Sequence, residues 1–341
     1  MADETGGALG DLEPPTLADV RAAAARIRPY LSLPTPLVHS PALSERLEAD
    51  VWLKYEFANP IGVFKLRGGL NLALTLPDGE RAGGMVTAST GNHGQSIAYA
   101  ARAAGVPATI FVPVGANPDK ISSMRRLGAR VVESGANVDE ALAAALALAA
   151  DTGARYVHIA TEPALVAGVA TAALEVLDAG GQLPDADLAI VPVGAGSGAC
   201  GWITVRDGLG RPAEIWGVQS AQAPAVHDGW RAGAEVTRPN HTRAEGLATG
   251  HAFPFPQSIL RGGLADFALV EDDAIDRAVL ELIETQHVLV EPAGAAPLAA
   301  AHARAERVRG KRVVLVLSGA NITRPQLEAI LGARAEGEPA T

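Results

Sequence analysis

Apolar residues in this chain follow two alternating rhythms. Short, nearly continuous apolar runs bounded by Gly, Pro or Asp recur along its length, among them LAIVPV at 188–193 and VVLVL at 313–317. Runs of that length predict buried strands. Between them lie longer segments with apolar residues three and four apart, which predict helices packed on a sheet. Strands are expected at 50–55, 84–88, 108–114, 130–133, 156–159, 188–193, 214–219, 266–270 and 313–317. Helices are expected at 16–27, with Thr16 as N-cap, and at 42–47. Further helices are expected at 94–104 (ended by Gly105), 118–127 (stopped by Gly128), 137–150, 164–177 and 199–209. The last three are 272–284 with an Asp cap, 294–305 and 324–330. Residues 1–15 read as a disordered lead-in, 34–39 as loop, and 223–265 as irregular because Gly, Pro and His crowd that stretch. Strands alternating with helices of about three turns imply an α/β fold whose mostly parallel sheet is covered on both faces.

Bulk properties narrow the classes. The 341 residues suffice for two domains or one large one. Aromatics are 4% of a chain that is 48% hydrophobic, so Ala, Val and Leu must fill the cores. The formal net charge of -10, with no basic block, argues against nucleic acid. The single cysteine, Cys200, excludes an intrachain disulfide and fits a reducing compartment. The N-terminus lacks a signal-peptide pattern, and the longest apolar stretch, ALAAALALAA, is too short to span a bilayer. A soluble cytoplasmic protein is the expectation.

The segment N-P-I-G-V-F-K-L-R-G-G at 59–69 places Lys65 at a loop-to-helix junction. The chain has four lysines, Lys54, Lys65, Lys120 and Lys311, against 24 arginines. An amine nucleophile must be able to lose its proton, which arginine cannot do. Lys54 sits in a strand-like run, Lys120 in a polar helix start and Lys311 in a charged stretch. Lys65 alone is flanked by apolar residues and glycines, where desolvation would favour the neutral amine. A solvated lysine at a helix start fits this stretch equally well.

Three strand-to-helix turns carry further chemistry, at the carboxyl ends of strands where ligands of open α/β sheets bind. Ser89-Thr90-Gly91-Asn92-His93-Gly94 combines hydroxyls, an amide and free helix N–H groups, a combination suited to a carboxylate, or to an ordinary capped turn. Gly194-Ala195-Gly196-Ser197-Gly198 has the make-up of a phosphate cradle. It is neither a Walker A loop nor G-x-G-x-x-G, and Gln219 stands where a ribose-binding acid would be, which disfavours a nicotinamide. Ser318-Gly319-Ala320-Asn321 ends a buried strand with a hydroxyl. Glu291-Pro292-Ala293-Gly294 sets a carboxylate at a turn, readable also as a helix cap.

Taken in order, these motifs resemble the fold-type II pyridoxal-phosphate enzymes, specifically the serine/threonine dehydratase and serine racemase group, over about residues 34–321. The resemblance implies a two-domain fold like that of tryptophan synthase β, with twisted, mostly parallel sheets flanked by helices. A large domain would comprise 1–83 and 161–341. A small mobile domain, 84–160, would carry the substrate carboxylate loop Ser89, Thr90, Gly91, Asn92 and His93. Lys65 is implied to be the Schiff-base lysine and base, with Phe64 packed beside the cofactor. Gly194, Ala195, Gly196, Ser197 and Gly198 are implied to cradle its phosphate. Asn92 would bond the pyridine 3'-oxygen, Ser318 the ring nitrogen, and Glu291 would lie near the ring.

The implied reaction is β-elimination from a β-hydroxy L-amino acid, L-threonine or L-serine, to a 2-oxo acid and ammonia by a homodimer. Hydroxyaspartate dehydration, serine racemization, β-replacement and a non-catalytic binding role are alternatives. Val63 and Gly69 depart from the family loop S-F-K-x-R-G-A. Thr90 replaces the serine of racemases. Gln219 and Ala225 stand where the family's cation ligands would be, so no metal is expected there. Arg243 and His241 could face a second carboxylate, or form a solvated loop.

Overall fold

The computed structural model describes residues 12–337. Most of the expected lead-in lies outside the described residues, and 12–15 carry no regular structure. The chain begins with α1 (Leu17–Ile27), β1 (Leu37–His39), α2 (Pro41–Leu47), β2 (Asp50–Tyr55), α3 (Lys65–Leu74) and α4 (Asp78–Arg81). There follow β3 (Met85–Ala88), α5 (Asn92–Ala104), β4 (Ala108–Val112), α6 (Pro118–Arg126), β5 (Arg130–Glu133), α7 (Val138–Thr152) and β6 (Arg155–Tyr156). Next come α8 (Pro163–Leu177), β7 (Leu188–Pro192), α9 (Ser197–Gly208), β8 (Glu214–Ser220), α10 (Ala225–Ala232) and α11 (Pro254–Gly263). The remainder is β9 (Asp266–Val270), α12 (Asp272–Gln286), α13 (Pro292–Ala303), α14 (Ala305–Val308), β10 (Arg312–Leu317) and α15 (Arg324–Gly337).

These strands form two sheets, a six-stranded one in the order β1-β2-β10-β7-β8-β9 and a four-stranded one in the order β5-β4-β3-β6. Every pairing is parallel except β1 with β2. The central strands β7 and β10 are buried almost throughout, which is why they read as unbroken apolar runs. Helix α3 stands at the seam between the sheets. It packs against α5 of the smaller sheet on one side and α8 of the larger unit on the other.

The expected and observed elements differ at instructive places. The 223–265 stretch is not irregular throughout: it holds α10 and α11 and a 3-10 turn at Glu245–Leu247. Pro254 and Pro256 look like breakers, but Pro sits in the first turn of α11, where no helical N–H is needed. Strand β1, read as loop, is three residues long. The strand expected at 156–159 stops at Tyr156, and the His158 ring accepts the Ala160 N–H as the chain turns out of the sheet. The Asp cap of α12 is also corrected. Glu271 is the N-cap residue, without a side-chain capping bond. Asp272 is buried and accepts from Ser220 Oγ, Thr242 Oγ1 and the Arg243 N–H, pinning the segment before residue 245. Thr16 does cap α1, in a reciprocal capping box with Asp19.

Below the start of α3 lies a buried ionic cluster. Arg67, fully buried, makes two-pronged contacts with Glu56 (2.7 and 2.9 Å) and with Glu175 (2.7 and 3.0 Å). Lys54 donates to Glu175 Oε2 (2.7 Å), the Thr35 carbonyl (2.9 Å) and Gln182 Oε1 (2.7 Å). Lys65 is therefore not the one lysine that desolvation acts on. Lys54 is 0% exposed, and burial pulls its ammonium below the usual lysine range against the pull of Glu175.

Candidate active site

The order of strands in the larger sheet explains how distant motifs meet. Strand β10 lies between β2 and β7, so the segments that follow these three strands emerge side by side at their carboxyl ends. The segment after β2 leads to Lys65, the turn after β10 holds Ser318, and the turn after β7 is Gly194–Gly198. The backbone stitches the first two together. The Phe64 N–H donates to the Ser318 carbonyl (2.9 Å), and Val63 pairs with Gly319 in an isolated bridge. The Glu291 N–H reaches the Gly319 carbonyl (3.0 Å), which brings in the residue before α13.

Between them opens a cavity. Phe64, Lys65, Asn92, Glu291 and Ser318 line it, together with all five residues Gly194, Ala195, Gly196, Ser197 and Gly198. Ile159, Pro192, Gly246 and Ala293 complete the wall. Lys65 and Glu291 are the ionisable side chains of this lining. Burial lowers the Lys65 ammonium from its ordinary value, against the attraction of Glu291. Burial raises the Glu291 carboxyl, against hydrogen bonding from Asn92 and the positive charges of Lys65 and Lys120.

The glycine-rich turn is shaped to leave backbone N–H groups bare. Gly196 has φ +110, and a Cβ there would come within 2.9 Å of Pro256. A Cβ on Gly194 would lie 2.4 Å from the Gly246 carbonyl oxygen. Helix α9 starts directly at Ser197, so its free N–H groups and dipole point at whatever occupies the turn. A small dianion fits such a cradle. Phe64, Ser318 and Lys65 line the same cavity beside that turn.

The S-T-G-N-H-G turn comes from the other sheet, after β3, and contributes to the lining unevenly. Asn92 lines the cavity. Its Nδ2 donates to both Glu291 oxygens (2.8 and 3.0 Å), and its Oδ1 accepts from Asn321 Nδ2 (2.7 Å). Ser89, Thr90, Gly91 and His93 are not among the lining residues. Ser89 Oγ caps α5 by accepting the N–H groups of Gly91 (3.3 Å) and Gly94 (3.1 Å). The His93 ring is 4% exposed and faces the Val157 carbonyl at 3.4 Å. Burial, with the Lys65 charge adding to it, lowers His93 to about 3, so the ring stays neutral at physiological pH.

Glu291 is the residue before α13, yet its side chain makes no capping bond; it serves Asn92 instead. Cys200 is buried with its thiol pushed up by desolvation, as core filling would be. Arg243 pairs with Asp273 and Asp276, and His241 is exposed, so neither enters the cavity. Gln219 Oε1 accepts the His227 N–H (3.1 Å). Among the described residues no group of three or more His, Cys, Asp and Glu side chains could hold a metal ion. No helix among them is long and apolar enough to cross a membrane.

Sequence reasoning missed several neighbours of the site. Ser96 Oγ donates to the Lys65 carbonyl (2.7 Å). Lys120 on α6 forms an ion pair with Glu245, next to the cavity-lining Gly246. Glu245 and Gly246 fall inside the stretch read as irregular, where no periodicity singles them out.

Comparison with known proteins identifies the family. Residues 30–319 match the family described as pyridoxal-phosphate dependent enzyme. The chain is 38% identical over 290 residues to the L-threonine ammonia-lyase of Geobacter sulfurreducens, covering 84% of this chain and 71% of that protein. It is 30% identical over 325 residues to the L-threo-3-hydroxyaspartate ammonia-lyase of Saccharomyces cerevisiae, covering 95% and 98%. Among solved structures it superposes on the processed threonine deaminase isoform 2 of Solanum lycopersicum. The TM-score is 0.86 at 27% identity, covering 95% of this chain and 97% of that one.

Proposed function

The chain belongs to the pyridoxal-phosphate dependent enzymes, and from that premise we propose that it is an ammonia-lyase converting L-threonine or L-serine to a 2-oxo acid and ammonia. The observation that carries this reading is one cavity lined by the amine of Lys65, the bare turn 194–198 and the hydroxyl of Ser318. Bound there, pyridoxal phosphate supplies an electron sink for the pair left at the substrate α-carbon.

The chain's own residues would do the rest. The N–H groups of Gly194–Gly198 and the start of α9 would hold the phosphate. Phe64 would pack beside the ring. Asn92, whose Nδ2 now serves Glu291, would turn an N–H to the ring's 3'-oxygen. Ser318 would offer the ring nitrogen an uncharged hydroxyl rather than a carboxylate, so no fixed negative charge would keep that nitrogen protonated. Lys65, whose ammonium burial disfavours, would be the base that takes the α-proton. The turn 89–93, of which Asn92 alone lines the cavity here, would receive the substrate carboxylate through N–H groups at the start of α5 as the unit 84–160 closes. The α-proton and the β-hydroxyl would together leave as one water, and one water returned in hydrolysis would give the 2-oxo acid and ammonia.

Charge favours a neutral side chain on the substrate. With Lys65 engaged, Glu291 is the remaining ionisable group of the lining, and a second substrate carboxylate would face it, the nearby Lys120 being already paired with Glu245. The unit 84–160 would act as the mobile part that closes over substrate. Asn92–Glu291, Asn92–Asn321 and Lys120–Glu245 are the polar contacts that support this, since each joins it to loops of the larger sheet. A cytoplasmic homodimer is part of the same reading, and light scattering of the purified enzyme tests the dimer.

The deciding experiment is a 2-oxo acid assay over β-hydroxy amino acids. We expect equal amounts of 2-oxobutanoate and ammonia from L-threonine and of pyruvate and ammonia from L-serine. Turnover confined to 3-hydroxyaspartate, or seen only when sulfide accompanies an activated serine, would contradict the reading.

A further inference from the structure

Helix α3 carries Lys65 at its first position, and α5 carries Asn92 at its first position. One buried side chain joins the two helix starts. Ser96 lies one turn after Asn92, is 1% exposed, and donates its hydroxyl to the Lys65 carbonyl oxygen at 2.7 Å. That carbonyl has two lone pairs, and the helix itself uses one. The contact exists because residue 69 has no side chain. A Cβ built on Gly69 would lie 2.3 Å from Ser96 Oγ and 3.0 Å from the Ser96 carbonyl oxygen. The hydroxyl thus occupies the space that an alanine at 69 would fill.

We propose that Ser96 is a positioning residue, whose hydroxyl ties the start of the Lys65 helix to the start of the Asn92 helix, and that Gly69 is the vacancy admitting it. This rests on reading Lys65 as the lysine that carries the cofactor. The two positions form a matched pair. Alanine at 69 would meet the Ser96 hydroxyl first and the Ser96 carbonyl oxygen behind it, and losing the hydroxyl removes the hydrogen bond that fixes the start of α3 on α5.

The test is a cycle of Ser96→Ala, Gly69→Ala and the double variant, measured on holoenzyme for kcat, KM and Tm. For Ser96→Ala we expect kcat to fall roughly 3- to 10-fold, the range set by one lost hydrogen bond, with KM changed less than about twofold. Gly69→Ala should lower Tm by several degrees, and the double variant should regain part of that loss, the contact with the Ser96 carbonyl remaining, while keeping the low kcat of Ser96→Ala. That split between recovered stability and unrecovered turnover is the signature of positioning. Recovery of both in the double variant would make Ser96 mere filling and overturn the proposal. So would a Tm loss from Gly69→Ala that is the same with and without the hydroxyl.

If Gly69→Ala does not fold, Ser96→Ala alone decides, through the rate at which apoenzyme takes up pyridoxal phosphate, followed by absorbance. Uptake several-fold slower supports the tie, and unchanged uptake with unchanged kcat overturns it. Cofactor still reducibly attached in Lys65→Ala would overturn the reading of the site instead, which separates the two failures.

Discussion

Two lysines of this protein, Lys54 on β2 and Lys65 at the start of α3, are put to opposite uses. Lys54 and Lys65 both have ammonium groups pulled down by desolvation. Lys54 is surrounded by three acceptors, and its proton is held by Glu175, the Thr35 carbonyl and Gln182. Lys65 instead lines a cavity, with Glu291 the nearest charge acting on it. Burial alone therefore does not mark a nucleophile. A buried amine saturated with acceptors holds structure together, whereas one turned toward open space is free to react.

The sharpest way to break this contrast is to remove each amine in turn. Lys65→Ala should lower kcat/KM by about 10²–10⁴-fold or more, the usual worth of a positioned base. Its Tm should stay near wild type, since no ion pair is lost. Lys54→Met should do the reverse. It leaves part of the Glu175 charge uncompensated, and truncating one partner of a buried pair costs about 3–5 kcal/mol in chemical denaturation, with kcat per folded molecule largely kept. If Lys54→Met abolished turnover while leaving stability intact, the assigned roles would be exchanged.

Acid sensitivity sharpens the comparison further, because the charge on Lys65 contributes to keeping His93 neutral. The His93 pKa falls from 6.5 to about 3 on folding. Between those values the unfolded chain binds a proton that the folded one refuses. The stability this supplies is complete above pH 6.5 and is lost as pH falls toward 3. From pH 6.5 to 5 that amounts to about 2 kcal/mol, measurable by urea denaturation at each pH. Replacing His93 by Gln should flatten this slope, and Lys65→Met should make it shallower by letting His93 hold its proton more readily. The smallest effect is expected at the rim. Glu245 is 53% exposed, so Lys120→Gln should cost under about 1 kcal/mol of stability, and less still in high salt.

How much of this could be seen in the sequence follows from how local each signal is. The strands at 50–55, 130–133 and 266–270 and the capped helix after Thr16 are set by neighbouring residues, and they stand where the pattern predicts. So does the ordered series of turns, because each follows a buried strand whose neighbours the fold dictates. What escaped depends on residues far apart in the chain. Glu175 lies 121 positions from Lys54, and nothing in the run VWLKYEF announces it. The Ser96–Gly69 fit appears only once α3 and α5 are side by side. Helices α10 and α11 were hidden for another reason: Gly and Pro punctuate loops and helix starts alike, and here the prolines mark starts.

The most direct test of the central claim is to load the protein with pyridoxal phosphate, reduce it with borohydride and map the modified lysine by peptide mass spectrometry. We expect the pyridoxyl group on the peptide containing Lys65 and no other. Modification of Lys54, Lys120 or Lys311 in its place, or no modified lysine at all, would contradict the account.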